Sequence, residues 1–88
     1  MADLSFTLKV VTPDAVVFQG KTISVVAPGT LGYLGILKNH APLVTSLEKG
    51  HLTYKDESGQ PHTFAVDGGF LEVRKNRVLV LADKILGS

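Results

Sequence analysis

The sequence predicts an all-β protein with a single domain, built as a sandwich or flattened barrel of eight to ten short strands. Valine, isoleucine, threonine, phenylalanine and tyrosine supply 27 of its 88 residues, whereas alanine and glutamate supply nine. Such residues favour strands, and apolar residues nowhere recur at helical spacing. We expect the domain to span residues 1–83, and residues 84–88, too short for a stable helix, to form a loose tail.

Three strands are predicted in the first third of the chain. Apolar and polar residues alternate over residues 4–10, as in a strand with one buried face, and Thr12-Pro13-Asp14 ends this strand in a turn. Residues 16–19 predict a short second strand. Alternation returns over residues 23–27, and Pro28-Gly29 closes this third strand.

The next segment, residues 30–42, follows neither periodicity because glycines and a proline interrupt it. We expect a shaped loop that contains a short strand. Five large apolar residues lie within residues 31–37, although loops are usually polar, so the segment either covers one end of the core or contacts another protein. Two further strands are predicted at residues 43–47 and 51–55.

The hairpin that follows has a register that can be worked out. A two-residue turn at Ser58-Gly59 would put apolar residues on the polar face. An odd-length loop centred on Gly59 instead pairs Tyr54 with Phe64 and Leu52 with Val66, with a positive φ expected at the glycine. We therefore predict the odd-length loop.

A final hairpin is predicted from residues 70–74 and 77–82, which pair across Lys75-Asn76. This register places Val73 opposite Val78 on an apolar face. The opposite face carries charged residues beside apolar ones.

Composition excludes several classes of function. The absence of cysteine rules out a disulfide framework, a thiolate zinc site and a cysteine nucleophile. The net charge is +1 and the longest basic run is Arg74-Lys75, so the sequence shows no nucleic-acid footprint. Because no signal-peptide pattern and no apolar run of spanning length are present, we expect a soluble chain without membrane insertion.

Catalytic and ligand-binding patterns are weak. Glycines 29, 32 and 35 lack the Lys-Ser or Lys-Thr and the helix of a phosphate loop, and no G-x-S-x-G or suitable carboxylate pair is present. His40 is expected to have a structural or interface role, while His51 and His62 fall on opposite faces of the predicted sheet. We therefore predict no catalytic residue, metal or cofactor.

Three motifs in order carry a resemblance to a known family. They are Gly-Tyr-Leu-Gly-Ile-Leu at residues 32–37, His-Ala-Pro-Leu-Val at 40–44, and Val-Asp-Gly-Gly-Phe-Leu-Glu-Val at 66–73. The sequence resembles the epsilon subunit of bacterial F-type ATP synthase, called delta in mitochondria, from about Phe6 to Ala82. This resemblance implies a ten-stranded β-sandwich with a mechanical, non-catalytic role.

The resemblance also implies a place in the rotor. The family's domain sits at the foot of the central stalk, at the cytoplasmic face of the plasma membrane, where it binds the gamma subunit and rests on the membrane c-ring. Rotation driven by protons is thereby passed to the catalytic head. Positions matching the ring-facing loop are Leu31, Tyr33, Lys38 and Asn39, and those matching the gamma and stalk interface are His40, Ala41 and Pro42.

The sequence departs from the family's pattern in two respects. The family usually has an acidic residue in place of Tyr33 and Pro-Gly in place of Lys38-Asn39, which implies that the ring contact here depends on stacking or hydrogen bonding. The chain also ends at Ser88, where the family's inhibitory pair of helices would begin. We expect a natural short form with neither a helical brake nor an ATP site.

Two other classes of function stay open. A free-standing β-sandwich module that binds a sugar or peptide would have a concave pocket and would not form a stable complex with gamma. A small β-sandwich enzyme that uses His40 with a carboxylate would lose its turnover in a His40→Ala variant. Co-purification with gamma distinguishes the stalk subunit from both.

Overall fold

Nine strands lie within residues 3–86, the part of the chain that the computed structural model describes. They are β1 (Phe6–Val11), β2 (Val16–Thr22), β3 (Ser24–Gly29), β4 (Gly32–Ile36), β5 (Leu43–Leu47), β6 (Gly50–Lys55), β7 (Pro61–Val66), β8 (Gly69–Arg74) and β9 (Arg77–Ala82). The prediction of an all-β domain is confirmed, with nine strands in this range instead of the ten that the resemblance implied. The segment at residues 30–42 contains one strand, β4, as expected.

One continuous sheet folds over to make both layers of the domain. The strand order is β2-β1-β9-β8-β5-β3-β6-β7, and β4, outside this order, pairs with residues 25–29 of β3. Although β2 and β6 are distant in this order, the rings of Phe18 and Tyr54 on these strands have centroids 4.4 Å apart. The two halves of the sheet therefore face each other as a sandwich. No helix long and apolar enough to cross a membrane is present in residues 3–86.

Alternate side chains of the strands fill the space between the layers. On β1, for example, Phe6, Leu8 and Val10 are buried while Thr7 and Lys9 point away from the core. The buried apolar set is Phe6, Leu8, Val10, Val25, Ala27, Ile36, Leu47, Leu52, Tyr54, Val66, Leu71, Val73, Val78, Val80 and Ala82. Because one face of each strand is used in this way, the intervening residues of β1, β2, β8, β9 and β5 form an outer face of the sheet.

The β6–β7 hairpin has the predicted parity but a different register. Leu52 pairs with Phe64 and Tyr54 with His62, so the predicted pairings of Tyr54 with Phe64 and Leu52 with Val66 are wrong by two residues along β7. The loop closes early because Asp56 Oδ1 accepts a hydrogen bond from the Gln60 amide at 3.0 Å. A shift of two keeps every side chain on its predicted face. The expected positive φ at Gly59 is present, at 87°.

The β8–β9 hairpin has the predicted register. Val73 pairs with Val78 and Arg74 with Arg77, which leaves Lys75 and Asn76 as a two-residue turn. Both turn residues have positive φ, 49° and 60°, as a hairpin turn of this length requires.

Residues 84–86 are not the loose tail that was expected. The amide of Asp67 donates a hydrogen bond to the Lys84 carbonyl at 2.9 Å, and the amide of Leu86 donates to the Ala65 carbonyl at 2.7 Å. Ile85 forms a β-bridge with Val66 and packs against the core. The free edge of β7 offers unpaired backbone groups, so even this short segment is ordered by pairing with it. The last two residues of the expected tail, 87–88, lie outside the described residues.

Candidate interaction surface

The β3–β4 hairpin presents Leu31 at its turn. Gly29 pairs with Gly32, so Thr30 and Leu31 form the turn, and Gly32 has a φ of 124°, which favours glycine. The amide and Oγ1 of Thr30 donate hydrogen bonds to the Ser46 carbonyl at 3.1 and 2.9 Å. The turn is therefore fixed to β5, while Leu31 is 103% exposed.

Tyr33 lies on the same hairpin, opposite Pro28 on β3. Its side chain crosses β3, and its hydroxyl accepts a hydrogen bond from the His51 amide at 3.3 Å. A Cβ atom at Gly50 would lie 2.9 Å from that hydroxyl, so the glycine leaves room for it. Tyr33 is thus oriented at its hydroxyl end but remains 62% exposed.

The turn after β4 is attached to the β8–β9 hairpin. Asn39 has a φ of 67°, and its amide donates to Asn76 Oδ1 at 2.7 Å. Asn76 Nδ2 donates in return to Asn39 Oδ1 at 3.2 Å. Lys38 Nζ donates to the Asp3 carbonyl at 2.5 Å. These contacts fix the position of the turn and occupy the Lys38 ammonium group.

His40, Ala41 and Pro42 continue from this turn towards β5. His40 is half-buried, and its Nδ1 lies 2.7 Å from the Ala41 carbonyl oxygen. Because a carbonyl oxygen only accepts, this nitrogen is the donor of the hydrogen bond. Pro42 is exposed and lines a shallow groove of about 370 Å³. The three residues therefore form a short segment that is accessible to a partner.

β4 separates the seven predicted site residues into two groups. A strand of five residues is about 17 Å long at ~3.3 Å per residue. Leu31 and Tyr33 lie at the start of β4, whereas Lys38 and Asn39 lie beyond its end, next to His40. The structure therefore brings Lys38 and Asn39 together with the His40 segment and not with Leu31.

An exposed row of apolar side chains was not among the predicted site residues. Four residues on neighbouring strands pair in sequence across the sheet: Phe70 on β8, Leu81 on β9, Val11 on β1 and Val16 on β2. On β5, the partner of Phe70 is the polar residue Ser46. Phe70 and Val16 are each 56% exposed and Leu81 is 47% exposed. We call Phe70, Leu81, Val11 and Val16 the outer apolar row. Strand alternation places Phe70 and Leu81 on the charged face, but only the pairing of distant strands aligns all four.

The one contact at salt-bridge distance between a basic and an acidic side chain within residues 3–86 lies in the β6–β7 hairpin, between His62 Nε2 and Asp56 Oδ2 at 2.9 Å. Ser58 Oγ donates to the other carboxylate oxygen at 2.6 Å. Hydrogen bonds from Ser58, from His62 and from the Gln60 amide hold the pKa of Asp56 well below its usual range. Serine and histidine both bind the aspartate and not each other, so this trio lacks the hydrogen bond that activates a nucleophile.

A β-sandwich that exposes a leucine-tipped hairpin and an apolar row has the features of a protein-interaction domain. Residues 5–87 match the family described as ATP synthase, Delta/Epsilon chain, beta-sandwich domain. The chain belongs to this family, which confirms the resemblance drawn from its three motifs.

Relatives by sequence include the ATP synthase epsilon chain of Moorella thermoacetica, which is 46% identical over 79 residues. That alignment covers 90% of this chain and 59% of the relative. The epsilon chain of Anaeromyxobacter sp. (strain Fw109-5) is 49% identical over 80 residues, covering 91% and 60%. The chain thus spans about 60% of the length of these curated relatives.

Solved structures show the same fold. A chain of the Euglena gracilis mitochondrial ATP synthase, in a structure of OSCP, F1 and c-ring, matches with a TM-score of 0.88 at 21% identity, covering 93% of this chain and 52% of that one. A chain of the Tetrahymena thermophila mitochondrial ATP synthase, from a structure of the central stalk and c-ring, matches with a TM-score of 0.75 at 15% identity, covering 91% and 64%. The sandwich architecture is therefore shared across large sequence differences.

Proposed function

We propose that this chain is a non-catalytic central-stalk subunit of the F-type proton-translocating ATP synthase, connecting the gamma subunit to the c-ring. Its family and the names of its relatives support this role. The structural observation that carries it is the exposure of Leu31 on a turn held by Thr30 and Ser46. An apolar side chain that a rigid turn holds exposed to solvent is suited to insert into a pocket on a partner protein.

We assign the ring contact to Leu31 and Tyr33. Burial of a leucine side chain contributes about 1.5–3 kcal/mol, and an aromatic ring with a polar end suits an interface that is partly wet. Lys38 and Asn39, which the resemblance also places in the ring-facing loop, lie about 17 Å away along β4. A ring contact that includes them must run along the whole strand.

We assign the gamma contact to His40, Ala41 and Pro42. This segment is anchored through Asn39 to the β8–β9 hairpin, so a force applied to it is transmitted to the sheet. In the proposed role the chain is a peripheral part of the complex at the cytoplasmic face of the plasma membrane. Its contribution is mechanical: it holds gamma and the ring in a fixed relation while proton flow turns both.

Binding of the purified chain to a gamma and c-ring subcomplex tests this role. We expect stable co-purification, and we expect Leu31→Asp to weaken binding to the c-ring at least tenfold because it places a charge in an apolar contact. Leu37→Asp is the matched control, since Leu37 is also exposed, at 64%, but follows the other end of β4. We expect a change below twofold for this control.

Two results would contradict the proposal. One is failure of the unsubstituted chain to remain with gamma and the ring at low detergent concentration. The other is equal weakening by Leu31→Asp and Leu37→Asp, which would mean that the turn has no special place in the contact. We expect thermal unfolding to show that both variants are folded, because both positions are exposed.

A further inference from the structure

The junction between β7 and β8 contains the one aspartate of this chain that is followed by glycine. Of the five aspartates, Asp67 precedes Gly68, whereas the other four precede leucine, alanine, glutamate and lysine. An aspartate carboxyl group can react with the backbone nitrogen of the next residue, and a glycine leaves that nitrogen unobstructed because it has no Cβ atom. Asp67-Gly68 is therefore the most reactive aspartyl peptide bond of the sequence.

Both reacting groups of this pair are without hydrogen-bond partners. Among residues 3–86, the Asp67 carboxyl group accepts no hydrogen bond and has no basic group within 4.0 Å, and the Gly68 amide donates no hydrogen bond. The carboxylates of Asp3 and Asp56, by contrast, accept hydrogen bonds from serine hydroxyl groups at 2.7 and 2.6 Å. Asp67 and Gly68 are half-buried, so water reaches them. Neither group has to break a hydrogen bond before it reacts.

A short segment after β9 restrains this peptide. The amide of Asp83 donates a hydrogen bond to the Gly68 carbonyl at 3.2 Å, and the amide of Asp67 donates to the Lys84 carbonyl at 2.9 Å. Ile85 bridges to Val66 and packs against the core. We call residues 83–86 the clamp. Its hydrogen bonds lie on both sides of the Asp67-Gly68 peptide, so they oppose the rotation that brings the Gly68 nitrogen to the Asp67 Cγ atom.

The clamp is a weakly held part of the fold. Three backbone hydrogen bonds attach it, the third from the Leu86 amide to the Ala65 carbonyl at 2.7 Å. Asp83 and Lys84 are exposed, and Ile85 and Leu86 are only half-buried. Segments with few buried apolar contacts and exposed hydrogen bonds open locally while the rest of the domain stays folded. Each such opening releases the Asp67-Gly68 peptide.

We propose that Asp67 is a site of spontaneous isomerisation to isoaspartate and that opening of the clamp controls the rate. The Gly68 nitrogen attacks the Asp67 Cγ atom, its proton and the hydroxyl of the protonated carboxyl group leave as water, and a cyclic succinimide forms. Water then opens the ring. Breaking the bond between the nitrogen and Cγ restores aspartate, whereas breaking its bond to the main-chain carbonyl carbon gives isoaspartate. This site goes beyond the stalk role proposed above and does not depend on it.

The product does not fit the folded chain. In isoaspartate the Cβ atom of residue 67 becomes part of the main chain, which is lengthened by one carbon atom. Gly69 is buried with a φ of 125°, and a Cβ atom there would clash with the Leu81 carbonyl oxygen, so the start of β8 has no room to absorb the extra length. We therefore expect the modified chain to lose the clamp. It also carries a free α-carboxylate, the group that isoaspartate-specific carboxyl methyltransferases recognise.

Ageing the purified chain in heavy-oxygen water at neutral pH, well below its melting temperature, tests the proposal. Each passage through the succinimide adds one heavy oxygen atom, and a protease that cleaves before aspartate but not before isoaspartate distinguishes the products. Trypsin places Asp67 and Asp56 on one peptide, 56–74, and Asp14 on another, 10–21. We expect labelling at Asp67 to be at least about tenfold faster than at Asp14 or Asp56. An isoaspartyl methyltransferase should methylate the aged chain and not the fresh one.

Two alanine variants isolate the effect of the clamp. Ile85→Ala removes the side chain that packs the clamp against the core, so it should raise the labelling rate about tenfold. Leu43→Ala is the matched control, because Leu43 packs against the same core from β5 and its truncation should change the rate less than about threefold. In guanidinium chloride the unsubstituted chain should react at least about tenfold faster than when folded. This last comparison needs no variant to fold.

Three results would overturn the proposal. Labelling at Asp67 no faster than at Asp14 in the folded chain would show that no isomerisation site is present. Equal rates in the folded and denatured chains would show that the clamp does not restrain the reaction. Equal acceleration by Ile85→Ala and Leu43→Ala would show that the reaction follows global unfolding and not opening of the clamp.

Discussion

Gly69, at the start of β8, is the position where a single methyl group should do the most harm. Its φ is 125°, and it pairs with Leu47 on one side and Ala82 on the other. A Cβ atom there would lie 2.0 Å from the Leu81 carbonyl oxygen and 2.9 Å from the Ala82 Cα atom. Both obstacles are backbone atoms, so no side-chain rotation relieves the clash.

Gly69→Ala should therefore carry two costs. The left-handed backbone contributes about 1–3 kcal/mol of strain. Displacing β9 from Gly69 also weakens about two ladder hydrogen bonds of about 1 kcal/mol each, for a total of about 3–5 kcal/mol. Because small domains have only ~5–15 kcal/mol of stability, this loss should lower the melting temperature by at least ~12 °C or leave the chain unfolded.

Gly32→Ala isolates the steric part of this cost. Gly32 has nearly the same φ, 124°, but no atom lies within 4 Å of a Cβ built there. We expect this variant to lose only the backbone strain, about 1–3 kcal/mol. Urea unfolding followed by circular dichroism measures both variants. Equal losses of stability would refute the reasoning, because they would show that β9 yields to the added methyl group without cost.

Three further perturbations test the fold. Hydrogen bonds from Ser58 and His62 lower the pKa of Asp56, so it stabilises the folded state above pH ~4 and this contribution is lost as pH falls towards the lowered pKa. Asp56→Asn should make the loss of stability between about pH 4 and pH 2 shallower in urea titrations, and an unchanged acid slope would contradict this. Thr22, fully buried, donates from Oγ1 to the Lys55 carbonyl at 2.6 Å. Thr22→Val should cost about 1–3 kcal/mol by chemical denaturation, with Thr22→Ser as the control that keeps the hydroxyl. Leu52→Ala in the core should cost about 2–5 kcal/mol in the same assay, whereas Val44→Ala on the exposed face should cost less than about 0.5 kcal/mol.

Local pattern was enough to predict the faces of the strands but not always their register. The β8–β9 hairpin was predicted in full because Lys75-Asn76 allows one turn type with one register. The β6–β7 hairpin was predicted with the correct face and a register shifted by two, since the side chain of Asp56 closes its loop. The alternation of apolar residues does not indicate a hydrogen bond between a side chain and a backbone amide within the loop, so the register could not be predicted from it.

The candidate surface was predicted in part for a similar reason. Leu31 was named because it matches the family's ring-facing loop; the structure shows that it is fully exposed, while its contact with a ring stays a prediction. The outer apolar row did not stand out, because it draws its members from β1, β2, β8 and β9. Rows of this kind depend on the parallel pairing of β1 with β9, whose residues are about 70 positions apart in the sequence.

Residue order alone determined that this chain forms strands, which residues of each strand face the core, and to which family it belongs. These properties depend on the chemistry of near neighbours, and near neighbours are visible in a sequence. Tertiary structure alone decided that residues 84–86 join β7, that Lys38 and Asn39 lie apart from Leu31, and that the apolar side chains of Phe70, Leu81, Val11 and Val16 form one row. The reason is that the backbone hydrogen bonds which align distant strands are the same for every residue type, so alignment is set by the packing of the whole sheet.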